Sequence, residues 1–407
     1  MIRRRHVIFA MGYDPKGVAS YHRLMRSQLK RFQAIWPVKA EAGELKDASE
    51  RIAHWTVDTT GPNWSVSTRY DFMRLDDIIK ANLSMPLTRH VLRALRWWGN
   101  DIVTGTTWRL WRASGRFAAH LAYAKGLFLL WLLLAAGAGA LVAWLLTAFA
   151  GVTPWITVPA GVVVAPLAFR LMQPVANRLY VHSLTNGWPF LREFGRGEPT
   201  AFDQPIADCV ERLLAAASAA EVDEIIVVGH SGGGAFAPLI VARALEKDPD
   251  LGRHGPRIVL LTIGSVMPGI ALHPAAKPMR EVVRRLAVEP SIFWVDGQTR
   301  RDPISFRDFD SVTRLGLKLD KPRHNPLIWN VRFRDMVSPA HYDRMRWNMF
   351  RMHFQFVMAN DMRATYDYLM FVCGPAPFKD WALHGAETLA SFDADARYTP
   401  QRDSVAV

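Results

Sequence analysis

Short apolar runs alternate with amphipathic stretches along most of the chain. The apolar runs predict strands at His6–Ala10, Ile52–Val57, Arg69–Leu75, Glu224–Val228, Arg257–Ile263, Ser291–Val295 and Ile328–Phe333. Helical spacing predicts helices at Ala19–Phe32, Pro205–Ala220, Phe236–Glu246, Lys277–Leu286 and Pro339–Asp361. Alternating strands and helices predict an α/β fold, with a mostly parallel sheet covered by helices on both faces.

One stretch departs from this alternation. The 44 residues from Gly126 to Phe169 contain no Asp, Glu, Lys, Arg or His. As one helix they would extend roughly 66 Å, about twice the hydrocarbon thickness of a bilayer. Gly151 and Pro154 provide a break, so we expect a transmembrane hairpin of two helices, Gly126–Ala150 and Ile156–Met172. Because the second helix contains prolines, it is expected to be kinked or re-entrant.

Both flanks of the hairpin are basic. The segment 86–125 carries one acid, Asp101, and seven cations: Arg89, Arg93, Arg96, Arg109, Arg112, Arg116 and Lys125. After the hairpin come Arg170, Arg178, Arg192 and Arg196. Cationic flanks favour the cytoplasmic side of a membrane. Since the segment 86–125 also carries Trp97, Trp98, Trp108 and Trp111, we expect it to lie on anionic lipid.

The net charge and the cysteine count limit the possible partners and disulfides of the chain. The formal net charge is +13, with 50 Lys plus Arg against 37 Asp plus Glu, and the basic flanks account for much of it without a nucleic-acid partner. Two cysteines cannot form a disulfide framework. The apolar run after the N-terminal arginines is too short for a signal peptide, so the N terminus is expected in the cytoplasm.

The expected organisation has five parts. The hairpin divides the α/β domain into two portions, and the polar C-terminal end is expected to be frayed. The parts are an N-terminal portion of the domain at 1–85, a basic juxtamembrane segment at 86–125, the hairpin at 126–172, the main portion at 173–390 and a tail at 391–407.

The strand Glu224–Val228 leads directly into Gly229-His230-Ser231-Gly232-Gly233-Gly234, and a helix follows. A G-x-S-x-G sequence between a strand and a helix is typical of a nucleophile elbow, which displays the serine on a sharp turn. The backbone N–H of Gly232 can then help to hold an oxyanion. A phosphate-binding loop would carry Lys after the glycines, whereas Ala235 follows here.

The chain resembles the α/β-hydrolase superfamily, in particular its serine lipases and esterases, over about residues 221–355 and the first strand. In class 3 lipases the elbow is followed by a strand ending in Gly-Ser, a strand ending near Asp-Pro and a late His. Here Gly264-Ser265, Asp302-Pro303 and His353 follow Ser231 in that order. The resemblance implies a Ser–His–Asp triad of Ser231, His353 and Asp302. An inserted membrane hairpin departs from typical lipases.

Alternatives remain for two members of the triad. Asp296 ends its strand and is the second candidate for the acid, after Asp302. His341, nearer the end of the last strand, is the second candidate for the base, and a buried structural role remains open for His353. His230 is expected to be structural because it points the other way along the elbow.

A second oxyanion donor is expected in the loop after the first strand, where Gly12 and Tyr13 precede a helix. We find no sequence pattern for a metal site or a nucleotide cofactor, and none is expected.

These features predict a membrane-anchored serine hydrolase that cleaves an ester or amide, with an ester or lipid-like substrate from the bilayer. Its catalytic domain and both termini are expected in the cytoplasm, at a bacterial inner membrane. The alternative is a catalytically silent, hydrolase-like membrane scaffold or partner-binding protein. The sequence does not identify the acyl group, the leaving group or the oligomeric state.

Overall fold

The computed structural model describes residues 1–400. Within them, nine strands form one sheet: β1 Arg4–Ala10, β2 Lys39–Ala42, β3 Lys46–Asp47, β4 Ile52–Thr60, β5 Ser65–Met73, β6 Glu224–His230, β7 Arg257–Ile263, β8 Ile292–Gln298 and β9 Leu327–Asn330. The helices are α1 Val18–Ile35, α2 Asp76–Leu83, α3 Leu87–Val103, α4 Thr106–Ala113, α5 Gly115–Ala150, α6 Pro154–Arg178, α7 Val181–Gly195, α8 Asp203–Ala219, α9 Gly233–Lys247, α10 Met267–Ala271, α11 Lys277–Ala287, α12 Pro339–Met345, α13 Met349–Phe354, α14 Tyr368–Cys373 and α15 Phe378–Ala390.

The strands lie in the order β2-β4-β5-β1-β6-β7-β8-β9, and β3 pairs with β4. All pairings along β5-β1-β6-β7-β8-β9 are parallel, whereas β2, β3 and β5 each pair antiparallel with β4. The predicted α/β class with a mostly parallel sheet is therefore confirmed. β6 is buried along its whole length, so its apolar run reflects a central position in the sheet.

Several observed elements differ from the predicted secondary structure. The edge strands β2 and β3 are short and were not predicted. The single helix expected at Pro339–Asp361 is broken into α12, α13 and a 3-10 turn at Gln355–Val357. The chain leaves helical geometry at Asn348, whose side chain then caps α13 by accepting from the Arg351 N–H at 3.0 Å. A capping residue in mid-sequence therefore begins a new helix, α13.

The apolar stretch forms two adjacent helices, α5 and α6. α5 begins earlier than predicted and ends at Ala150 as predicted, whereas α6 begins earlier and ends later than predicted. Both are long and apolar enough to span a membrane, and most of their apolar side chains are exposed. A Cβ on Gly139 would overlap the carbonyl oxygen of Gly161, so these glycines allow the two backbones to approach closely. The prolines Pro159 and Pro166 lie within α6, which continues through both.

The segment 86–125 forms α3, α4 and the start of α5. Trp97 and Trp98 are buried, whereas Trp108 and Trp111 are 66% and 45% exposed. Asp101 is also buried, where it accepts a hydrogen bond from the indole of Trp188. Part of this segment therefore packs against the domain. Of the four tryptophans expected to lie on lipid, only Trp108 and Trp111 are exposed enough to do so.

The end of the described chain packs against the domain. Phe392 and Tyr398 are buried, and their rings stack at 4.7 Å between centroids. Phe392 also stacks on Trp381 of α15. The expected frayed tail is therefore not seen in residues 391–400, and its remainder, 401–407, lies outside the described residues.

Candidate active site

Ser231 occupies the sharp turn between β6 and α9. Its φ is +61°, a left-handed conformation that is unusual for a residue with a side chain. The turn is fixed by hydrogen bonds from the N–H groups of Gly234 and Val266 to the Ser231 carbonyl, at 3.1 and 3.2 Å. Backbone strain of this kind is concentrated at functional sites. The serine is thus displayed at the carboxyl edge of the sheet, as the G-x-S-x-G sequence predicts.

Two glycines allow the chain to pass close to this turn. A Cβ on Gly233 would overlap the carbonyl oxygen of Ala10 in β1, so α9 can start against the sheet because this position is glycine. A Cβ on Gly12 would lie 2.8 Å from the Cβ of Ser231. The loop after β1 is therefore adjacent to the serine, where the sequence placed a second oxyanion donor.

The backbone next to Ser231 supplies candidate oxyanion donors. A Cβ on Gly232 would lie 3.4 Å from the Tyr13 nitrogen, and one on Gly12 would lie 3.2 Å from the Gly232 nitrogen. The amides of Gly232 and Tyr13 are therefore near one another beside the serine. Paired backbone N–H groups of this kind stabilise developing negative charge.

His353, which lines the same cavity as Ser231, pairs with Asp302. The Nδ1 atom of His353 lies 2.6 Å from Oδ2 of Asp302, and Oδ1 of Asp302 accepts from the Ile304 N–H at 2.8 Å. Burial alone would raise the pKa of Asp302, but the imidazole of His353 and these hydrogen bonds hold it below its usual value. The carboxylate is therefore ionised at neutral pH.

An ionised Asp302 fixes the tautomer of His353. The carboxylate accepts a hydrogen bond from an N–H group at Nδ1, so Nε2 carries the lone pair of the neutral ring. Nε2 is buried, and within residues 1–400 it has no hydrogen-bond partner. An imidazole in this state can accept a proton from a neighbouring hydroxyl.

The alternative candidates have other partners. Asp296 accepts hydrogen bonds from Thr262 and Gln298, both at 2.7 Å, and its burial raises its pKa to about 6. The structure thus brings Asp302, not Asp296, to His353. His341 pairs with Asp361, with Nδ1 at 2.8 Å from Oδ2.

His230 also lines the cavity, beside His353. Its Nε2 lies 3.1 Å from the carbonyl oxygen of His353, and the two imidazole centroids are 4.6 Å apart. Burial, followed by the neighbouring His353, lowers the pKa of His230 to about 3. A neutral ring bonded to the backbone of His353 supports that residue's position.

A cavity of about 1160 Å³ connects these groups. Ser231, Gly232, Gly12, Tyr13, His353 and His341 all line it. It extends to the ends of the two apolar helices, which contribute Phe117, His120 and Leu121 from α5 and Gln173 and Asn177 from α6. Sequence reasoning missed this contribution because those residues are far from Ser231 along the chain and match no catalytic pattern.

His120 is the most polar of these additions. It is buried at the start of α5, and its Nδ1 has no hydrogen-bond partner within the described chain. The sequence signal was a lone histidine just before the uncharged stretch. Across residues 1–400, no cluster of three or more His, Cys, Asp or Glu side chains is arranged to hold a metal ion.

Comparisons of the chain with models of protein families, with curated proteins and with solved structures find no match.

Proposed function

We propose that this protein is a membrane-anchored serine hydrolase that cleaves an ester or amide. The observation that carries the proposal is the buried Asp302–His353 pair, whose histidine has an unpartnered Nε2 and lines the same cavity as a serine on a strained turn. A nucleophile, a base and an acid that orients the base make up the triad arrangement.

The proposed reaction proceeds through an acyl-enzyme. Ser231 Oγ attacks the carbonyl carbon of the substrate while its proton passes to Nε2 of His353. The amides of Gly232 and Tyr13 donate to the resulting oxyanion, and Asp302 stabilises the imidazolium. Collapse of the intermediate breaks the bond to the leaving group, which takes the proton from His353. Water, activated by the same histidine, then releases the acid.

The proposed fold type is that of an α/β-hydrolase. Support comes from the parallel centre of the sheet and from the order of the groups along the chain. Ser231 follows β6, Asp302 follows β8 and His353 follows β9, the order that this fold requires. The hairpin lies between β5 and β6.

The proposed site of action is a membrane surface. α5 and α6 would span the bilayer as a hairpin, with the domain and both termini in the cytoplasm because the flanks are basic. The exposed Trp108 and Trp111 would contact anionic lipid. Because the feet of both helices line the cavity, an ester-bearing lipid could pass directly from the bilayer to Ser231. Loss of the protein from membranes on carbonate washing would contradict this anchoring.

A silent hydrolase-like scaffold is the second candidate. The observation that favours it is that Nε2 of His353 makes no hydrogen bond to Ser231. Such bonds are often long without substrate and tighten when one binds, so this geometry alone does not argue against catalysis.

A fluorophosphonate probe separates the two candidates, because such a probe labels a serine only when a base activates it. We expect the full-length protein in detergent to be labelled, and Ser231→Ala to lose all labelling. Ser183 lines the same cavity, so Ser183→Ala is a matched control and should be labelled normally. Labelling that persists in Ser231→Ala, or its absence from the unaltered protein, would contradict the proposal.

A further inference from the structure

One tryptophan is exposed far from the basic Trp-rich segment in sequence. Trp347 is 84% exposed, in the turn between α12 and α13. Outside residues 87–195, the other exposed large apolar side chains of the described chain are Met1, Met362 and Leu383, at 50%, 38% and 47%. A fully solvated indole is unusual, because tryptophan is normally well buried in soluble domains.

This turn lies next to the start of α5 and the end of α6. The ring of Phe350 lies 3.9 Å, centroid to centroid, from the ring of Tyr180, which follows α6. Met349 lines a small cavity together with Ala119 and Tyr123 of α5. The exposed apolar face of α6 also continues to this level, where Tyr180 is 41% exposed. The turn is therefore at the end of the domain where the hairpin leaves it.

The charges around Trp347 are mainly positive. Arg344, Arg346 and Arg351 are all exposed, and Asp343 is the acid of this stretch, 3.3 Å from Arg346. An exposed aromatic residue among arginines fits the headgroup region of an anionic leaflet, where the ring lies at the interface and the cations meet phosphates.

We propose that residues 343–351, the α12–α13 turn, form a second membrane contact beside the hairpin. The proposal rests on the hairpin and the hydrolase function proposed above. α13 carries His353, and Phe350 and Arg351 line the cavity that contains Ser231. Contact with the leaflet would therefore keep the cavity open toward the lipid. The occupant of this surface is an anionic bilayer.

A fluorescent label at position 347 tests the contact directly. The native Cys209 and Cys373 are fully buried, so Trp347→Cys can be labelled selectively with bimane in the full-length protein. The protein is reconstituted in anionic nanodiscs containing lipids with a spin label near the headgroup. We expect strong quenching at 347. If bimane at position 347 is quenched no more than bimane on Asp250→Cys, the proposal is wrong.

Asp250→Cys is the matched control. Its side chain is 74% exposed, and it lies beyond the end of α9, which runs from Ser231 back toward the opposite edge of the sheet. A label at 250 should therefore not be quenched by the spin-labelled lipid. A protein partner at position 347 would instead leave the label insensitive to lipid, an outcome that contradicts membrane contact.

Activity provides the second measurement. Trp347→Ala, and separately Arg344→Gln with Arg346→Gln, should lower turnover of an ester embedded in anionic vesicles by about fivefold or more. Turnover of a short soluble ester should not change, and Trp347→Phe should keep most of the vesicle activity. Leu383→Ala removes an exposed apolar side chain from α15 and should affect neither substrate.

The outcomes distinguish this proposal from the hydrolase proposal. If Trp347→Ala lowers turnover of both substrates equally, the turn acts through the stability of the site and not through lipid, which contradicts the inference. If Ser231→Ala retains turnover of the soluble ester, the hydrolase proposal is wrong, whereas quenching at 347 would still demonstrate the contact.

Discussion

Two histidines that line the same cavity each pair with an aspartate, in different surroundings. His353 and Asp302 are 2.6 Å apart, with 3% and 0% of their side chains exposed. His341 and Asp361 are 2.8 Å apart, with 22% and 20% exposed. By distance alone the pairs are nearly equivalent, so the number and charge of the other partners must distinguish them.

The partners of the two carboxylates differ. Asp361 also accepts from the Arg31 guanidinium at 2.6 Å and from the backbone and hydroxyl of Ser338 at 2.9 and 3.0 Å. Its charge is therefore already balanced by a permanent cation. The charge of Asp302 instead faces His353, and both side chains are almost fully buried. A carboxylate thus supports a catalytic base best when it has few competing donors.

The largest expected effect comes from removing each histidine in turn. His353→Ala should lower kcat/KM for a short soluble ester by about 10²–10⁴-fold, the contribution typical of a general base. His341→Ala should change it little, because its partner carboxylate is shared with Arg31. Both are measured on the purified full-length protein, with folding checked by circular dichroism. Full activity in His353→Ala together with loss in His341→Ala would reverse the comparison.

The elbow and the apolar helices could be predicted from sequence because each is encoded by consecutive residues. The strand, Ser231 and the glycines around it are neighbours in the chain, and an uncharged run needs no tertiary information. The start of α5 was predicted too late and the end of α6 too early. The reason is that charged and polar residues at these ends, such as Lys125, pack against the domain. Lys125 lies over the ring of Trp98.

The acid and the base depend on contacts that the sequence does not contain. Asp296 and Asp302 are six residues apart, and both follow the same apolar run. Thr262, on the neighbouring strand β7, engages Asp296, whereas the loop after β8 brings Asp302 to His353. The break in the helix at Asn348 decides where His353 lies. Sequence patterns therefore reduced the acid to two candidates and the base to two, and tertiary contacts separated them.

A smaller loss of kcat/KM is expected when the charge of each aspartate is removed. Asp302→Asn should lower kcat/KM by about 10²-fold or more, but by less than His353→Ala, because the acid orients the ring without reacting. Asp361→Asn and Asp296→Asn should retain most of the activity, since neither carboxylate contacts His353. Equal losses in Asp302→Asn and Asp361→Asn would mean that both pairs serve the reaction.

The smallest expected effect concerns stability. Burial would raise the pKa of Asp361, but hydrogen bonds from Ser338 and from His341 lower it below 3.8. A carboxyl group with a lower pKa in the folded state adds stability above its unfolded pKa and loses that contribution as the pH falls through its folded pKa. Asp361→Asn should therefore lower the melting temperature at neutral pH, and the gap should close below about pH 3.8.

The size of this gap should be modest. The Arg31 side chain is 41% exposed, so solvent screens the Arg31–Asp361 ion pair. The expected loss in the free energy of unfolding is therefore about 1 kcal/mol or less. Asp335→Asn is the control, because Asp335 pairs with Arg332 on the open surface and should give almost no gap at either pH. A gap for Asp361→Asn that persists in acid would show that Asp361 acts through packing. The charge-sharing that distinguishes it from Asp302 would then lose its support.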